Sequence, residues 1–433
     1  MKKNGQENMR KIVFLIGVIW LSLLPFQINS SSKQSDFESK LPWIKKEDTV
    51  NNIRVLLRSN GFQNITHEEV IVSSNNGLKI IGVEDEIIVS GEQQYKITPE
   101  QNMIKNGMVR VQPLVETEEV WIHSLQRGLG LARYQGILDL YATAEGIVVV
   151  NELPVEVYLE HVVPSEMPVS YEMEALKVQA VCARSYAYRQ MQGMAYPEYG
   201  ANVDDSTSFQ VYGNSEKQEK TTLAVRETAG EVVGYKNEVA ATYFFSTSCG
   251  KTTDTEAWNL SNNEDYPYLK HVEVNDEEND DYERSLPWYR WWTRISKKQV
   301  ENWIELEMKT EIGELTSLEV TKVGAGGVVC ELKAVGTQGK LVIMTENKIR
   351  KALGDTSIRI TRNDGSIVQG SDLLPSAFFT IEESGDDYIL KGGGYGHGIG
   401  MSQNGANEMA KRGVEYKEIL SFFYPGTVIL YGV

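Results

Sequence analysis

Glu166 lies in the stretch VVPSEMP, between Pro164 and Pro168. Apolar neighbours such as Pro164, Met167 and Pro168 raise a carboxyl pKa, and a carboxyl that keeps its proton near neutral pH is suited to general acid catalysis. The bland alternative is a surface glutamate ahead of a helix. Ordinary glycoside hydrolysis asks for a second carboxylate, acting on water or as the nucleophile. Asp204, Asp205, Asp254 and Glu256 are available for that part, and spacing singles out none of them. His397 stands inside LKGGGYGHGIGMSQ with a glycine on either side, which removes most packing partners. Catalytic base, substrate hydrogen-bonder and packing residue are all open to it. Cys249, in STSCG, suggests a thiol nucleophile served by His397, because thiolate formation needs a nearby imidazole. No nucleophile motif such as GxSxG accompanies it.

The elements that would carry these side chains are readable in outline. A helix is expected from about Tyr171 to Met191, with Ser170 as N-cap, Glu172 and Glu174 in the first turn and Arg189 near the end. Met173, Leu176, Ala180, Ala183 and Ala187 form its apolar stripe, and Lys177 and Arg184 share one flank. Near the C-terminus, Gly392, Gly393, Gly394, Gly396, Gly398 and Gly400 precede a short helix that begins near Ser402 and stops at Gly413. Such glycines let the backbone approach a ligand or a neighbouring strand closely. No GxGxxG or GxxxxGK spacing occurs among them, so a phosphate cradle is rejected.

From Asn52 to about Pro154 the chain is a succession of short β-rich runs, IRVLL, EEVIVSS, GLKIIGV, DEIIVSG, QYKI, MVRVQPLV, GILDLYA and GIVVVNELP. After the central helix come strand-like YKNEVAATYFFSTS and turn-rich CGKTTDTEAWN. The acidic NDEENDDYERS reads as a solvated surface turn. PWYRWWTRIS reads as a strand packed on the core rather than a sugar platform. Residues 295–356 alternate a helix, KKQVENWIELEMK, three strands and a second helix, ENKIRKAL. The fold class is α+β, mixed, with a β-rich N-terminal part and helices around a groove.

Length, 433 residues, and a formal charge of −17 frame the function. The acidity argues against nucleic acid, whose binding depends on lysine and arginine displacing counterions. Lys2, Lys3, Arg10 and Lys11 followed by the apolar Ile12 to Phe26 mark residues 1–30 as an export segment. A cleaved signal peptide, ending near Ser30, and an uncleaved anchor are both open, since the apolar run is shorter than the ~20 residues that span a bilayer. Residues 31–50 read as a linker, and residues 51–433 as one extracytoplasmic unit. Cys182, Cys249 and Cys330 are too few and too scattered for a disulfide framework, and no CxxC suggests zinc.

Taken together, the blocks VVNELPVEVYLEHVVPSEMPVSYEMEALKVQAVCARSYAY, VDDSTSFQVYG, AATYFFSTSCGKT with EAWN, and GGYGHGIGMSQNGANEMAKRG with SFFYPGT resemble the stage II sporulation protein D family. That family comprises peptidoglycan lytic transglycosylases and amidase-enhancer relatives, and the likeness runs from about residue 50 onward. The resemblance implies a membrane-anchored wall enzyme of an endospore-forming bacterium. It would cut glycan strands between N-acetylmuramic acid and N-acetylglucosamine after a partner amidase, stage II sporulation protein P, has stripped their peptides. It would act during engulfment beside stage II sporulation protein M. The family's catalytic acid matches Glu166 and a second important position matches Arg184, which would orient Glu166 or contact glycan. Asp205, Gln210, Tyr212, Tyr243, Ser246, Ser248, His397, Ser402 and Gln403 fall in the family's motif blocks and are candidates for lining the groove. Some relatives carry a zinc-associated Cys/His cluster where this chain has DDSTSF, with Asp204, Ser208 and Phe209 at those positions, so no metal and no cofactor are expected. Phe245 stands where relatives often have histidine, Cys249 replaces a glycine, and Val157 replaces the usual acid after Glu156. A non-catalytic enhancer of an amidase and a hydrolase using Cys249 are the competing readings.

Overall fold

The computed structural model describes residues 51–105, 107–128, 130–260 and 265–432. The leader and the linker lie outside them. Among the described residues no helix is long and apolar enough to cross a membrane.

The β-rich runs form strands as expected, and the structure supplies their pairing. Asn52–Leu57 lies antiparallel to Gly146–Pro154, with Ile53 opposite Leu153 and Val55 opposite Asn151. They belong to a seven-stranded sheet, completed by Val203–Asp204 on one side and by Ile137–Thr143, Met108–Pro113, Gly77–Ile81 and Glu86–Ser90 on the other. A four-stranded sheet holds Tyr95–Ile97, Val70–Ser73, Glu119–Arg127 and Gly130–Gln135. Val72, Val120, Leu138 and Leu140, from both sheets, share one apolar core. The larger sheet also buries charge. Arg54 donates to Asp139 at 2.9 Å and to Glu152, while Arg110 donates to Asp139 at 2.8 Å.

Glu166 precedes a helix, as expected, but it also ends one. Val155–Glu166 follows directly on the strand Gly146–Pro154, because the ring of Pro154 fixes φ at −58° at the helix entrance. Pro168 disfavours the helical region for the residue before it, so Met167 is extended and the helix stops at Glu166. The next helix is Met173–Met191 rather than Tyr171–Met191, and Ser170 is not its cap. The amide of Tyr171 donates to Pro168 O at 3.0 Å, which spends this stretch on a turn. Glu172 takes the capping position, and its N–H donates to the side chain of Asn407 at 2.8 Å. The Met173–Met191 helix is buried on nearly every side, including Leu176, Gln179, Ala183, Arg184 and Tyr186, so the expected stripe is only part of its packed surface.

In the second half, Trp291–Ser296 is the central strand of a five-stranded sheet and Leu315–Val323, Val329–Gly336 and Lys340–Met344 form a three-stranded one. Lys297–Met308 starts from a capping box of Ser296 and Gln299, and Glu346–Leu353 is the second helix of this stretch. The parallel pair Phe244–Phe245 and Met401–Ser402 closes the molecule on itself. Its geometry explains the glycines. Gly396 and Gly400 have φ of 120° and 74°, and a Cβ on Gly400 would sit 2.1 Å from Tyr243 O. Here the glycine loop approaches a neighbouring strand.

Candidate active site

The carboxyl of Glu166 is 7 % exposed. One oxygen, Oε1, accepts the Val211 N–H at 2.8 Å, which leaves Oε2 to carry a proton. Burial pushes its pKa up to about 7, against the opposing pull of the Val211 amide and Gln403. A charged carboxylate loses solvation there, and among the described residues no arginine or lysine compensates it. Gln403 donates from Nε2 to Glu166 O and to Gln179 Oε1, each at 3.3 Å. Among the described residues the buried Gln179 Nε2 and Tyr186 Oη have no hydrogen-bond partner. Gln179 and Tyr186 share a face of the Met173–Met191 helix at i and i+7, with Cys182 and Ala183 between them.

The candidates from the sequence divide into three groups. Gln403 reaches Glu166. Ser248 and Ser402 meet instead at Glu283, a residue in the stretch expected to be a solvated turn. Glu283 is 0 % exposed, which corrects that expectation for this position. It accepts from Ser248 N at 2.9 Å, from the Ser248 hydroxyl, and from Ser402 Oγ at 2.8 Å. Burial pushes its pKa up to about 7, opposed by these donors. Ser402 also caps the helix Gln403–Lys411 by accepting from Gly405 N at 3.2 Å. Two buried acids are therefore joined through the consecutive residues Ser402 and Gln403. Ser246 belongs to the same seam, since its carbonyl accepts from Asn404 N at 2.9 Å. No feature of NDEENDDYERS marks Glu283 out from its acidic neighbours, and Gln179 and Tyr186 look like ordinary helix residues until the burial of the helix is seen.

A second group frames the site without entering it. Arg184 neither orients Glu166 nor faces open solvent. Its guanidinium is buried, forms a two-pronged pair with Glu156 at 2.7 and 2.8 Å, and donates to Val225 O and Glu231 O at 3.1 Å. Asp205 is paired with Arg127 at 3.0 Å and accepts from Arg58 N at 2.9 Å, and the Tyr212 hydroxyl donates to Asn151 at 2.7 Å. Gln210 accepts from Tyr158 at 3.3 Å and donates to Ala183 O at 3.4 Å. These side chains are satisfied by protein and buried, so they brace the segment that delivers Val211 N–H to Glu166. Asp204, within DDSTSF, accepts from Arg58 at 3.0 Å and Tyr196 at 2.6 Å. Asp254 caps the turn Thr255–Trp258, and Glu256 pairs with Lys322 at 2.8 Å, so neither serves as a second carboxylate beside Glu166.

The third group contains His397, Tyr243 and Cys249. His397 Nδ1 accepts from Ile399 N at 3.1 Å, which makes Nε2 the protonated nitrogen that donates to Phe244 O at 3.0 Å. Burial pushes its pKa down to about 3, with Arg350 adding to the effect. A neutral imidazole with both nitrogens occupied is a packing residue, and it is not available as a base. Tyr243 packs edge-on against Trp258, ring centroids 4.9 Å apart, and 6.4 Å from Tyr186. Burial pushes the Cys249 thiol up to about 11, which keeps it protonated at neutral pH. Without thiolate or base, the hydrolase reading of Cys249 loses its chemistry.

Comparison with known proteins bears on the same residues. A family model described as stage II sporulation protein matches residues 143–235, which include Glu166, and a model for a domain of unknown function matches residues 243–400. The chain is 31% identical over 308 residues to stage II sporulation protein D of Bacillus subtilis (strain 168), covering 67% of this chain and 78% of the relative. It is 34% identical over 304 residues to an uncharacterized protein of Brachyspira hyodysenteriae, covering 69% of this chain and 72% of that one. It is also 29% identical over 293 residues to the amidase enhancer of Bacillus subtilis, of whose length it spans 40%.

Proposed function

The chain belongs to the stage II sporulation protein D family, and on that premise we propose that it is a lytic transglycosylase acting on the glycan strands of peptidoglycan. The observation that carries this reading is the buried carboxyl of Glu166, pushed up to about 7 by burial and, among the described residues, without a compensating cation. Protonated Glu166 gives its proton to the glycosidic oxygen as the bond from C1 of N-acetylmuramic acid breaks. The C6 hydroxyl of the same sugar attacks C1 and returns its proton to the Glu166 carboxylate. The product is a 1,6-anhydro end, and water takes no part. Glu283 supports the single-acid route, because its oxygens are engaged by Ser248 and Ser402 and it is too buried to activate a water.

Strands stripped of peptides by an amidase are the proposed substrate, with stage II sporulation proteins P and M as partners in engulfment outside the cytoplasm. A second reading has one observation in its favour, the similarity to an amidase enhancer. Digestion of purified peptide-free glycan strands separates the two. Wild-type protein releases anhydromuramyl ends by mass spectrometry and Glu166→Gln does not. Equal product from both proteins overturns the assignment of Glu166, and reducing ends in place of anhydro ends overturn the intramolecular step. Stimulation of an amidase without any glycan cleavage would establish the enhancer instead.

A further inference from the structure

Far along the chain from Glu166, a groove of about 860 Å3 opens beside the strand Trp291–Ser296. Lys251, Arg290, Arg294, Arg362 and Lys391 all line it, and among the described residues no aspartate or glutamate does. In a chain of formal charge −17 this is a local reversal of sign. Three of the cations have carboxylate partners, Arg294 with Asp387 at 2.9 Å, Lys391 with Glu382 at 2.7 Å and Arg362 with Asp364 at 3.8 Å. These pairs are partly exposed, so a ligand carboxylate can compete for the cations at little cost. Among the described residues Lys251 and Arg290 have no carboxylate partner. Arg290 is held in place instead, donating to Cys249 O at 2.9 Å and stacked on Tyr289 with 3.9 Å to the ring centre.

The strand also presents an aromatic ring to the groove. Alternation along the strand sends Trp291 into the core and leaves Trp292 47 % exposed. Register places Trp292 opposite Lys391 on one neighbour and Thr361 on the other, so a flat apolar face, an ammonium and a hydroxyl stand side by side. The expectation that PWYRWWTRIS only packs on the core holds for Trp291 and not for Trp292. An apolar plane flanked by cations and hydroxyls matches a sugar ring that bears a carboxylate.

We propose that this groove binds an acidic saccharide, namely the muramic acid units of the glycan whose lactyl carboxylates are free once the peptides are gone. The assignment rests on the wall-glycan reading above and adds to it a gripping site separate from the point of cleavage. Cys249 in the groove directly follows Ser248, which bonds Glu283, which bonds Ser402 next to Gln403. A bonded path thus runs from the groove to the backbone of Glu166.

The test uses the full chain carrying Glu166→Gln, so that nothing is cut during titration. Calorimetry compares a peptide-free muramic-acid-containing oligosaccharide with an N-acetylglucosamine oligosaccharide of equal length and with poly(glycerol phosphate). The acidic saccharide is expected to bind at least about tenfold more tightly than the neutral one, with an affinity that falls as salt rises. Lys251→Gln and Trp292→Ala, both at the surface of the groove, are each expected to weaken it by about tenfold while thermal melting stays unchanged. Equal affinity for the neutral sugar, no effect of either variant, or binding confined to the phosphate polymer would each overturn the proposal. Cleavage is scored separately on the unsubstituted protein. Acidic-sugar binding without anhydro products leaves the groove standing and removes the catalytic reading, and cleavage without such binding does the reverse.

Discussion

The N-terminal sheet and the floor of the candidate site both bury carboxyl groups, and they treat them in opposite ways. In the sheet, Asp139 and Glu152 meet Arg54 and Arg110, so every buried anion has a guanidinium against it. At the site, Glu166 and Glu283 are buried with only neutral donors, Val211 N–H in one case and Ser248 and Ser402 in the other. Charges that hold a fold together are closed off by partners. A carboxyl that has to gain and lose a proton is kept without a cation, so that its pKa sits where the proton is exchanged. By this criterion Arg184, paired with Glu156, belongs with the sheet's closed charges although it is only a helix away from Glu166.

Substitutions can break the contrast or sharpen it. Glu166→Gln should reduce formation of anhydro ends by about a thousandfold, the middle of the range that a positioned proton donor supplies, while circular dichroism stays native. Arg54→Met should act on stability instead, lowering unfolding free energy by about 3–5 kcal/mol in urea titration, because Asp139 and Glu152 lose a buried partner. If that variant is as stable as the parent, the sheet's charges are not closed by their partners.

The pH dependence carries a definite sign. Folding raises the Glu166 pKa from an ordinary 4.5 to about 7, so the folded chain binds a proton that the unfolded chain has released. Stability contributed by that proton is complete below 4.5, falls as pH rises toward 7, and is gone above it. Glu166→Gln should therefore match the parent near pH 4 and exceed it at pH 8 by on the order of 3 kcal/mol. Cleavage should decline above pH 7 for the same reason, as the acid loses its proton. Glu283→Gln is expected to lower cleavage by about tenfold, through loosened Ser402 and Gln403, with the pH midpoint of activity unchanged. Cys249→Ala should leave activity within about twofold, since a thiol that stays protonated contributes no nucleophile.

Local pattern accounts for much of this architecture. Alternating β-rich runs, the helices Lys297–Met308 and Glu346–Leu353 and the loop-to-helix transition at Ser402 all follow from patterns legible in the sequence. Glu166 stands out because two prolines surround it, and the second of them, Pro168, does end its helix. The long-range choices are not legible in the same way. Arg184 and Asp205 lie in blocks that look functional, yet their partners Glu156 and Arg127 are distant in sequence and settle them as braces. Glu283 is one acid among many in its stretch, and only the folding of that stretch against Ser248 and Ser402 distinguishes it. Ser170 is a reasonable cap by type, but Asn407 supplies the acceptor from another helix.

The bond from Gln403 to the backbone of Glu166 joins residues 237 positions apart. Contacts of such separation wait on chain closure and complete late in folding. A chain that has formed the helix bearing its acid, but has not yet brought the glycine loop home, lacks the Gln403 bond to Glu166. On the function proposed above, such a chain would not cut, and the long reach of one glutamine would work as a safety catch released only when the whole molecule is in place.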